Sequence, residues 1–289
     1  MPVKEQLRAR DKDLGGGFTV RRLLPAARRP AVGPFVFFDH FGPVTTHPGD
    51  NHDVRPHPHI GLASVTYLFE GAIMHRDTLG SVQRIEPGAI NWMTAGRGIV
   101  HSERMPPDLR DSTNVVHGLQ LWAALPKVFE ESAPAFHHTS AEAIPTWSQS
   151  GTEVRVLIGD AFGKQSPVAT FAPTLYLDVA MSTGATLLLP PDGNAFERAI
   201  YSVDHPLAID GAEVPAFTMA ILTPGANATI SAPHGARCAI IGGEPLDGPR
   251  FLLWNFVSSS KERIERAKED WAMQRMGKIA GEHEWIPLP

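Results

Sequence analysis

A chain of 289 residues that is 43% hydrophobic can bury more than one small core, so we expect two medium domains or one large domain. Its 26 glycines and 26 prolines are spread along most of the sequence and separate short segments, which favours a mainly β protein over a helical one. The net charge of −5 excludes a bulk attraction to nucleic acid or anionic lipid, so we expect no direct nucleic-acid binding and no membrane partner.

The cysteine content and the hydropathy pattern indicate a cellular compartment. Cys238 is the single cysteine, so an intramolecular disulfide is impossible and the chain suits a reducing environment. The N-terminal stretch MPVKEQLRARDKDLGGG lacks the apolar segment of a signal peptide, and the longest uncharged stretch, which begins at Val214, is interrupted by prolines. We therefore expect a cytoplasmic protein without a signal peptide or a membrane span.

The first half of the chain reads as short β runs separated by turn signals, from FTVRRLL near Phe18 to VVHGLQLW near Trp122. Runs this short at this spacing predict a sandwich or a barrel. The segment PAFHHTSAEAIPTWSQSGTE is rich in Pro, Ser and Thr without a sustained period, which makes it the best linker candidate. We therefore expect a first domain at residues 1–138 and a second domain at residues 139–289.

Two pairs of side chains in this first half have the spacing of metal ligands. RPHPHIGLASVTYLFEG contains His57 and His59, and MTAGRGIVHSE contains His101 and Glu103. Residues two apart on a strand point to the same face, so each pair presents two ligands if its segment is extended. A single histidine is more often a hydrogen-bonded structural residue, but two such pairs on separate β segments favour a shared site. We predict that the four side chains meet around one metal ion.

The ligand types narrow the choice of metal. Imidazole and carboxylate suit Fe, Mn, Ni, Cu or Zn, whereas the absence of thiolates argues against a structural zinc site of the finger type. Iron(II) oxygenases commonly combine histidines with a carboxylate and leave positions open for O2, water or substrate. Among the other histidines, His40 and His75 are candidates for groups that contact the ligands. We interpret five others as structural or exposed: His117, His137, His138, His205 and His234.

The β pattern resumes after the linker as a weakened copy of the first half. Aligning Tyr201 with Tyr67, an offset of 134, matches strand to strand and turn to turn. This alignment, with a match of MTAGRGIVHSE to LTPGANATISA through their glycines, gives the counterparts of the four ligands as Pro191, Gly193, Ile230 and Ala232. If the halves arose by duplication, the second has kept the scaffold and lost the site.

The C-terminal stretch predicts a helix. Ser259 with Glu262 three residues later forms a capping box, and Gly277 can supply the left-handed stop. One face of this helix would carry Ile264, Ala267 and Trp271. We expect this face to pack on the β domains in a structural role.

The two ligand motifs also carry a family resemblance. HPHIGLASVTYLFEG followed by MTAGRGIVHSE resembles the metal-binding signature of the pirins, which belong to the cupin superfamily. FFDHFGP, GLQLW, GGEPL and the closing helix extend the resemblance across nearly the whole chain. It implies two tandem antiparallel β-barrels of the cupin, double-stranded β-helix type, followed by a C-terminal α-helix.

The resemblance implies that iron, as Fe(II), is bound in the N-terminal barrel alone. The residues that match the family's ligands are His57, His59, His101 and Glu103. Generic cupins place a glutamate a few residues after the first histidine pair, where this chain has Ala63 and Ser64. Pirins supply the carboxylate from the second motif, which is the position of Glu103, so this departure matches the family.

Pirins are described both as flavonol-cleaving dioxygenases and as iron-dependent regulators, so the resemblance implies two functions. In the first, of the quercetin 2,3-dioxygenase type, the substrates are a flavonol and O2. Glu103 then serves as a ligand and, when displaced, as a general base. In the second, the Fe(II) and Fe(III) forms differ in affinity for a transcription factor or a metabolic enzyme.

Two further features bear on these alternatives. The basic cluster Arg21, Arg22, Arg28 and Arg29 would form part of a docking face in a regulator, although a solvated face with salt-bridge partners is the simpler interpretation. A third function, a sugar-binding or isomerase cupin, keeps the metal and changes the substrate. The polarity of the pocket discriminates between substrates, because flavonols need flat apolar walls and sugars need many hydrogen-bonding groups.

Overall fold

The computed structural model describes residues 2–13, 18–191 and 196–289, and these ranges are mainly β, as the sequence predicts. The strands of the first half are β1 (Val3–Arg8), β2 (Arg10–Asp13), β3 (Thr19–Leu24), β4 (Phe35–Thr46), β5 (Val54–His59), β6 (Leu62–Glu70), β7 (Ile73–Asp77), β8 (Val82–Ile85), β9 (Ile90–Thr94), β10 (Ile99–Arg104), β11 (Asn114–Ala124) and β12 (Ala135–Thr139). The strands of the second half are β13 (Thr146–Gln149), β14 (Thr152–Ile158), β15 (Asp160–Ala161), β16 (Lys164–Gln165), β17 (Thr174–Met181), β18 (Ala185–Leu189), β19 (Glu197–Ser202), β20 (Leu207–Ile209), β21 (Ala212–Val214), β22 (Thr218–Leu222), β23 (Ala228–Ala232), β24 (Ala236–Gly243), β25 (Phe251–Leu253) and β26 (Phe256–Ser258).

Helical structure in the described ranges consists of the α-helix α1 (Lys261–Ala272) and two 3-10 turns, Pro107–Leu109 and Lys127–Phe129. The described residues contain no helix that is both long enough and apolar enough to cross a membrane.

The chain forms two compact units, and each is assembled from several segments. The first unit contains residues 40–141 and 246–289 with the described part of 13–20, and the second unit contains the described parts of 1–12, 21–39 and 142–245. The change at residues 141 and 142 lies close to the predicted boundary at 138 and 139. The units differ from the predicted linear domains in two respects. Residues 21–39 and the described part of 1–12 belong to the second unit, where β1 pairs with β22, and residues 246–289, which include α1, belong to the first unit.

The first unit contains a four-stranded sheet in the order β5-β10-β7-β8. A seven-stranded sheet has the order β12-β9-β6-β11-β4-β3-β2, and the first four strands in this order lie wholly in the first unit. Both sheets are open, which corresponds to a sandwich, one of the two architectures predicted from the short β runs. Contacts between β6, β11 and β12 on one side and β5, β7 and β10 on the other enclose the candidate site.

Strand alternation gives β5 and β10 two different buried faces. His57, His59 and His101 point to one face, whereas Ile60, which follows β5, and Val100 of β10 belong to an apolar cluster on the other face. The helix α1 contributes to this cluster, as predicted, through Ile264, Ala267 and Trp271. Because this cluster is apolar and closely packed, it holds the backbone of the histidine-bearing strands from the opposite face.

The ends of α1 differ from the prediction by short distances along the chain. Ser260, rather than Ser259, is the N-cap, and its hydroxyl accepts a hydrogen bond from the Arg263 N–H at 3.2 Å. The hydroxyl of Ser260 also donates to the carboxylate of Glu262 at 2.7 Å. The helix ends at Ala272, so Gly277 lies beyond it and is not the residue that stops it.

The second unit contains a seven-stranded sheet in the order β1-β22-β19-β24-β17-β14-β13 and a four-stranded sheet in the order β18-β23-β20-β21. Ile230 and Ala232, the counterparts of His101 and Glu103, are fully buried in the apolar core of this unit. Pro191 is exposed, and Gly193 lies outside the described residues. The second unit therefore packs hydrocarbon at two of the positions where the first unit carries predicted ligands.

Candidate metal centre

All four predicted ligands lie on two adjacent antiparallel strands, His57 and His59 on β5 and His101 and Glu103 on β10. In the register of β5 and β10, His101 lies opposite His57 and Ile99 lies opposite His59. The strand β5 is at the edge of its sheet, where prolines such as Pro56 and Pro58 are tolerated because one side needs no backbone donor. The pairing brings the three histidine side chains onto the same buried face.

A tight turn after β5 fixes the position of His59. Gly61 has φ +67°, and a Cβ at this position would lie 2.0 Å from the carbonyl oxygen of Val257. Only glycine combines this backbone conformation with so close an approach. The glycine that follows the motif HPHI is therefore required by the turn rather than by the metal chemistry.

The three histidines form a compact and buried group. Within the described part of the chain, His57, His59 and His101 form the group in which one potential ligand nitrogen from each lies within 4.8 Å of the others. Their exposed fractions are 6%, 1% and 2%. The Nε2 atoms of His59 and His101 are 3.1 Å apart.

Backbone hydrogen bonds fix the tautomers of two of these imidazoles. Nδ1 of His57 is 2.9 Å from the carbonyl oxygen of Arg55, and Nδ1 of His59 is 3.1 Å from the carbonyl oxygen of Asn255. A carbonyl oxygen can only accept, so each Nδ1 carries the proton and each Nε2 keeps its lone pair. Histidine ligands commonly have this arrangement, since the outer hydrogen bond orients the ring toward the metal.

The buried environment keeps the three imidazoles neutral. Burial lowers the pKa of His57 to about 4, although the hydrogen bond to the Arg55 carbonyl favours the charged form. Burial, together with the neighbouring His57, lowers the pKa of His59 well below its ordinary value. The pKa of His101 is lowered well below its ordinary value by burial, with contributions from the other imidazoles. At neutral pH all three can therefore offer a lone pair to a cation.

This arrangement fits a transition-metal ion. Two imidazole nitrogens bound at right angles, each at about 2.1 Å from a metal, are about 3 Å apart. The 3.1 Å between the Nε2 atoms of His59 and His101 matches that separation. Two facing lone pairs at this distance repel each other unless a cation or a shared proton lies beside them. The site therefore suits a metal ion of the Fe, Mn, Ni, Cu or Zn class.

The fourth predicted ligand, Glu103, occupies a different position. The register between β5 and β10 shifts between His101 and Glu103, and Glu103 lies opposite His75 of β7. Oε1 of Glu103 accepts a hydrogen bond from the Thr66 hydroxyl at 3.3 Å, and the residue is not a member of the compact histidine group in the described chain. Burial raises the pKa of Glu103, opposed by His75 and Thr66. The role of Glu103 as a ligand remains a prediction.

The wall that faces the histidines is formed by β11, β6, β9 and β12. The strand registers place two rows of side chains across this wall, since directly paired residues share a face. The first, largely apolar row consists of Trp122, Ser64, Met93 and Phe136. The second, polar row consists of Gln120, Thr66, Asn91 and His138.

Contacts of both rows with side chains of β5, β7 and β10 show that they face the site, and in the polar row this contact is the one from Thr66 to Glu103. The rings of Trp122 and His59 are 5.1 Å apart, and Phe136 stacks on His75 at 4.2 Å. In the polar row, the Thr66 hydroxyl has a second acceptor in Oε1 of Gln120 at 3.0 Å. The site is therefore bounded by one aromatic band and one hydrogen-bonding band.

The structure corrects two sequence interpretations of histidines. His138, which we placed in a linker, lies on β12, and its Nδ1 is 2.8 Å from Oδ1 of Asn91. That interpretation was wrong because a polar strand that lines a site has the composition of a loop. His75 contacts His101 as anticipated, with 3.4 Å between their Nδ1 atoms, whereas Nε2 of His40 is 2.7 Å from Nε2 of His117.

A third pair of side chains with the same spacing lies beside the site. His75 and Asp77 are two residues apart on β7, and Nε2 of His75 is 3.0 Å from Oδ2 of Asp77. The same spacing argument that selected the two ligand pairs could have selected this third pair.

Two family models match the chain. The model described as Pirin matches residues 17–123, and the model described as Pirin C-terminal cupin domain matches residues 176–277. A Pirin-like protein of Caulobacter vibrioides is 46% identical over 285 residues, which cover 97% of this chain and 97% of that protein. Human pirin is 35% identical over 277 residues, which cover 93% of this chain and 91% of that protein.

A solved structure shows the same architecture. The crystal structure of quercetin 2,3-dioxygenase from Acinetobacter baumannii matches with a TM-score of 0.91 at 34% identity, over 99% of this chain and 94% of that chain. The family models, the relatives and the fold agree with the resemblance that the two ligand motifs carry. The chain therefore belongs to the pirin family and is built from two cupin domains.

Proposed function

We propose that this protein is a metal-dependent dioxygenase that cleaves flavonols of the quercetin type, with Fe(II) as its metal and O2 as co-substrate. The observation that carries the proposal is the convergence of His57, His59 and His101, three buried neutral imidazoles, beside an aromatic and a polar band. The similarity to a quercetin 2,3-dioxygenase supports the substrate class.

The residues that would hold the metal are the three histidines, with Glu103 as the fourth ligand in our proposal. When bound, the metal supplies a Lewis acid for the flavonol 3-oxygen and a redox centre for O2. Mn, Ni, Cu and Zn are alternatives that the same donor set accepts.

Glu103 is our candidate for the general base that takes the proton of the flavonol 3-hydroxyl. Burial raises the pKa of its carboxyl, which makes the carboxylate a stronger base than an exposed glutamate. The single proton of the Thr66 hydroxyl can be donated to Oε1 of Glu103 or to Oε1 of Gln120. When Glu103 takes up a proton, the Thr66 hydroxyl can therefore turn to Gln120 without losing its hydrogen bond.

The two bands of the wall match a flat substrate with hydroxyl groups at its edge. Trp122, Met93 and Phe136 offer apolar surface to an aromatic ring system. Gln120 and Asn91, in the polar band, offer hydrogen bonds to hydroxyl groups. A sugar would leave the aromatic band without a matching flat face, so this wall supports a polyhydroxylated aromatic substrate over a sugar.

The alternative function, an iron-dependent regulator that binds a transcription factor or metabolic enzyme, has less support. Arg22 donates two hydrogen bonds to the carboxylate of Asp39, at 2.8 and 2.7 Å. Arg29 pairs with Glu5 and Glu197, and Arg21 lies 4.2 Å from the centre of the Phe217 ring. These arginines are engaged within the second unit, which is the simpler of the two interpretations given above.

The test is O2 consumption by protein loaded with Fe(II) under anaerobic conditions, on addition of quercetin. The His101→Ala variant removes one ligand, and His205→Ala is the matched control because His205 is an exposed histidine of the second unit. We expect uptake that requires both quercetin and His101 and that is unchanged in the control. Stoichiometric iron binding without flavonol-driven uptake would refute the enzyme and make the regulator the leading function.

A further inference from the structure

A chain of side-chain hydrogen bonds leads from a buried carboxylate to one of the histidine ligands. Oδ2 of Asp77 is 3.0 Å from Nε2 of His75, and Nδ1 of His75 is 3.4 Å from Nδ1 of His101. Nε2 of His101 then faces Nε2 of His59 at 3.1 Å. The register of β10 with β7 produces this arrangement, because His101 lies opposite Asp77 and Glu103 lies opposite His75.

The carboxylate of Asp77 is held in one orientation. Its Oδ1 accepts hydrogen bonds from the backbone N–H groups of Leu79 at 2.8 Å and Ser81 at 3.0 Å. Its side chain has an exposed fraction of 0%. Oδ2 is therefore directed at His75, and a carboxylate oxygen in this position acts as an acceptor.

The position of each proton along this chain follows from that acceptor. In the tautomer of His75 that donates from Nε2 to Asp77, Nδ1 carries the lone pair. Nδ1 of His101 can then donate to that lone pair, and Nε2 of His101 is left free of a proton. One fixed acceptor thus selects the tautomer of two imidazoles in succession.

The ring of His75 is also held in its plane. Phe136 stacks on it with ring centres 4.2 Å apart and an angle of 14° between the rings. His75 has an exposed fraction of 4%, so little water can compete for its nitrogen atoms. A flip of the ring would have to break this stacking and both hydrogen bonds together.

His101 differs in this respect from the other two ligands of the triad. Nδ1 of His57 and Nδ1 of His59 use backbone carbonyl oxygens, whereas Nδ1 of His101 uses a side chain that is itself bonded to a carboxylate. An anionic acceptor behind a histidine makes its ring a stronger donor to a metal than a neutral carbonyl does.

We propose that Asp77 and His75 are positioning residues that fix the tautomer of His101 and strengthen it as a metal ligand. This inference rests on the metal centre proposed above but not on its reaction with flavonols. The pair sets the affinity of the site for its metal and stabilises the more highly charged oxidation state. Losing such partners typically lowers metal affinity about 10- to 100-fold.

The test uses substitutions that keep size and change hydrogen bonding. In Asp77→Asn, the side-chain oxygen should keep accepting from the N–H groups of Leu79 and Ser81, so the amide NH2 faces His75. The NH2 group then donates to Nε2 of His75, which reverses the direction of each hydrogen bond in the chain. The proton is then driven onto Nε2 of His101, where it competes with the metal. In His75→Phe, the stacking on Phe136 can persist and the chain is interrupted rather than reversed.

The proposal predicts an order of metal affinities among these variants that a purely structural role would not produce. Affinity for Zn(II) and for Fe(II), measured by anaerobic competition with a chelator, should fall about 10- to 100-fold in Asp77→Asn and less in His75→Phe. The double variant should match His75→Phe, because Asp77 acts through His75. The midpoint potential of bound iron should rise in both single variants.

Melting temperatures of the metal-free proteins check folding, and His205→Ala is the control for the loss of a histidine elsewhere. The proposal is overturned if the metal affinity of His75→Phe is unchanged. It is also overturned if the larger loss of metal affinity in Asp77→Asn persists in the double variant. The two results are independent, so one of them is available even if one variant folds poorly. Absence of metal binding by the unsubstituted protein would refute both this inference and the proposed function. Metal binding without flavonol cleavage would refute the proposed function alone.

Discussion

The low pKa values of the imidazoles predict that metal affinity of the folded protein changes little between pH 7 and pH 5. His57 has a pKa of about 4 and is neutral throughout this range, and the pKa values of His59 and His101 lie well below the ordinary value. An imidazole with an ordinary pKa of about 6.5 must lose its proton at pH 5, which weakens binding about 30-fold per histidine. At a pKa of about 4, the same competition between proton and metal at pH 5 weakens binding only about 1.1-fold.

The assay is competition for Zn(II) between the protein and a chelator whose own pH dependence is known, at pH 7, 6 and 5. Because burial raises the pKa of Glu103, the variant Glu103→Gln is measured in parallel. Any pH dependence that remains in this variant belongs to the imidazoles. A decrease of about 25-fold or more in Glu103→Gln between pH 7 and pH 5 would show that a ligand titrates as an exposed histidine, which would refute the reasoning.

Three further predictions concern stability and metal content. Through His57, the free energy of unfolding of the metal-free protein should fall by about 3 kcal/mol as the pH falls from about 6.5 to about 4, because the unfolded chain binds that proton at a higher pH than the folded chain does. Urea unfolding of His57→Gln should show a smaller loss. The variant His101→Ala should retain little metal by elemental analysis, with a metal-free melting temperature close to that of the unsubstituted protein; wholesale unfolding would contradict a functional role. In Arg198→Met, the free energy of unfolding of the second unit should fall by about 2 kcal/mol, because the buried guanidinium donates to the carbonyl oxygens of Pro190 and Ala226. An unchanged midpoint of urea unfolding would contradict this prediction.

The histidine part of the site could be predicted because its information is local. The pairs His57/His59 and His101/Glu103 have a period of two, and strand alternation alone places each pair on one face. The turn signals between them allow the two strands to become neighbours. The structure brings three of these side chains together as that argument requires.

The position of Glu103 could not be predicted in this way. The register shift after His101 breaks the simple alternation, and the contact with Thr66 depends on how one sheet faces the other. The assignment of residues 135–139 to a linker was wrong for a related reason. The side chain of His138 on β12 lines the site, and its contact with Asn91 is invisible in the composition.

The chain ends show a further limit of sequence reasoning. The strand Val3–Arg8 alternates as an ordinary edge strand, and nothing in its residues identifies β22, more than two hundred residues away, as its partner. Likewise, the buried face of α1 was predictable from its period, but its packing on Ile60 and Val100 was not. Local patterns predict which face is buried, and long-range packing decides what covers it.

The measurement that tests the central claim most directly is a crystal structure of the Fe(II)-loaded protein with an anomalous difference map at the iron edge. The account predicts one strong peak in the first unit, at about 2.1 Å from Nε2 of His57, His59 and His101. A peak at any other set of residues, or stoichiometric iron with no peak beside this triad, would contradict the account.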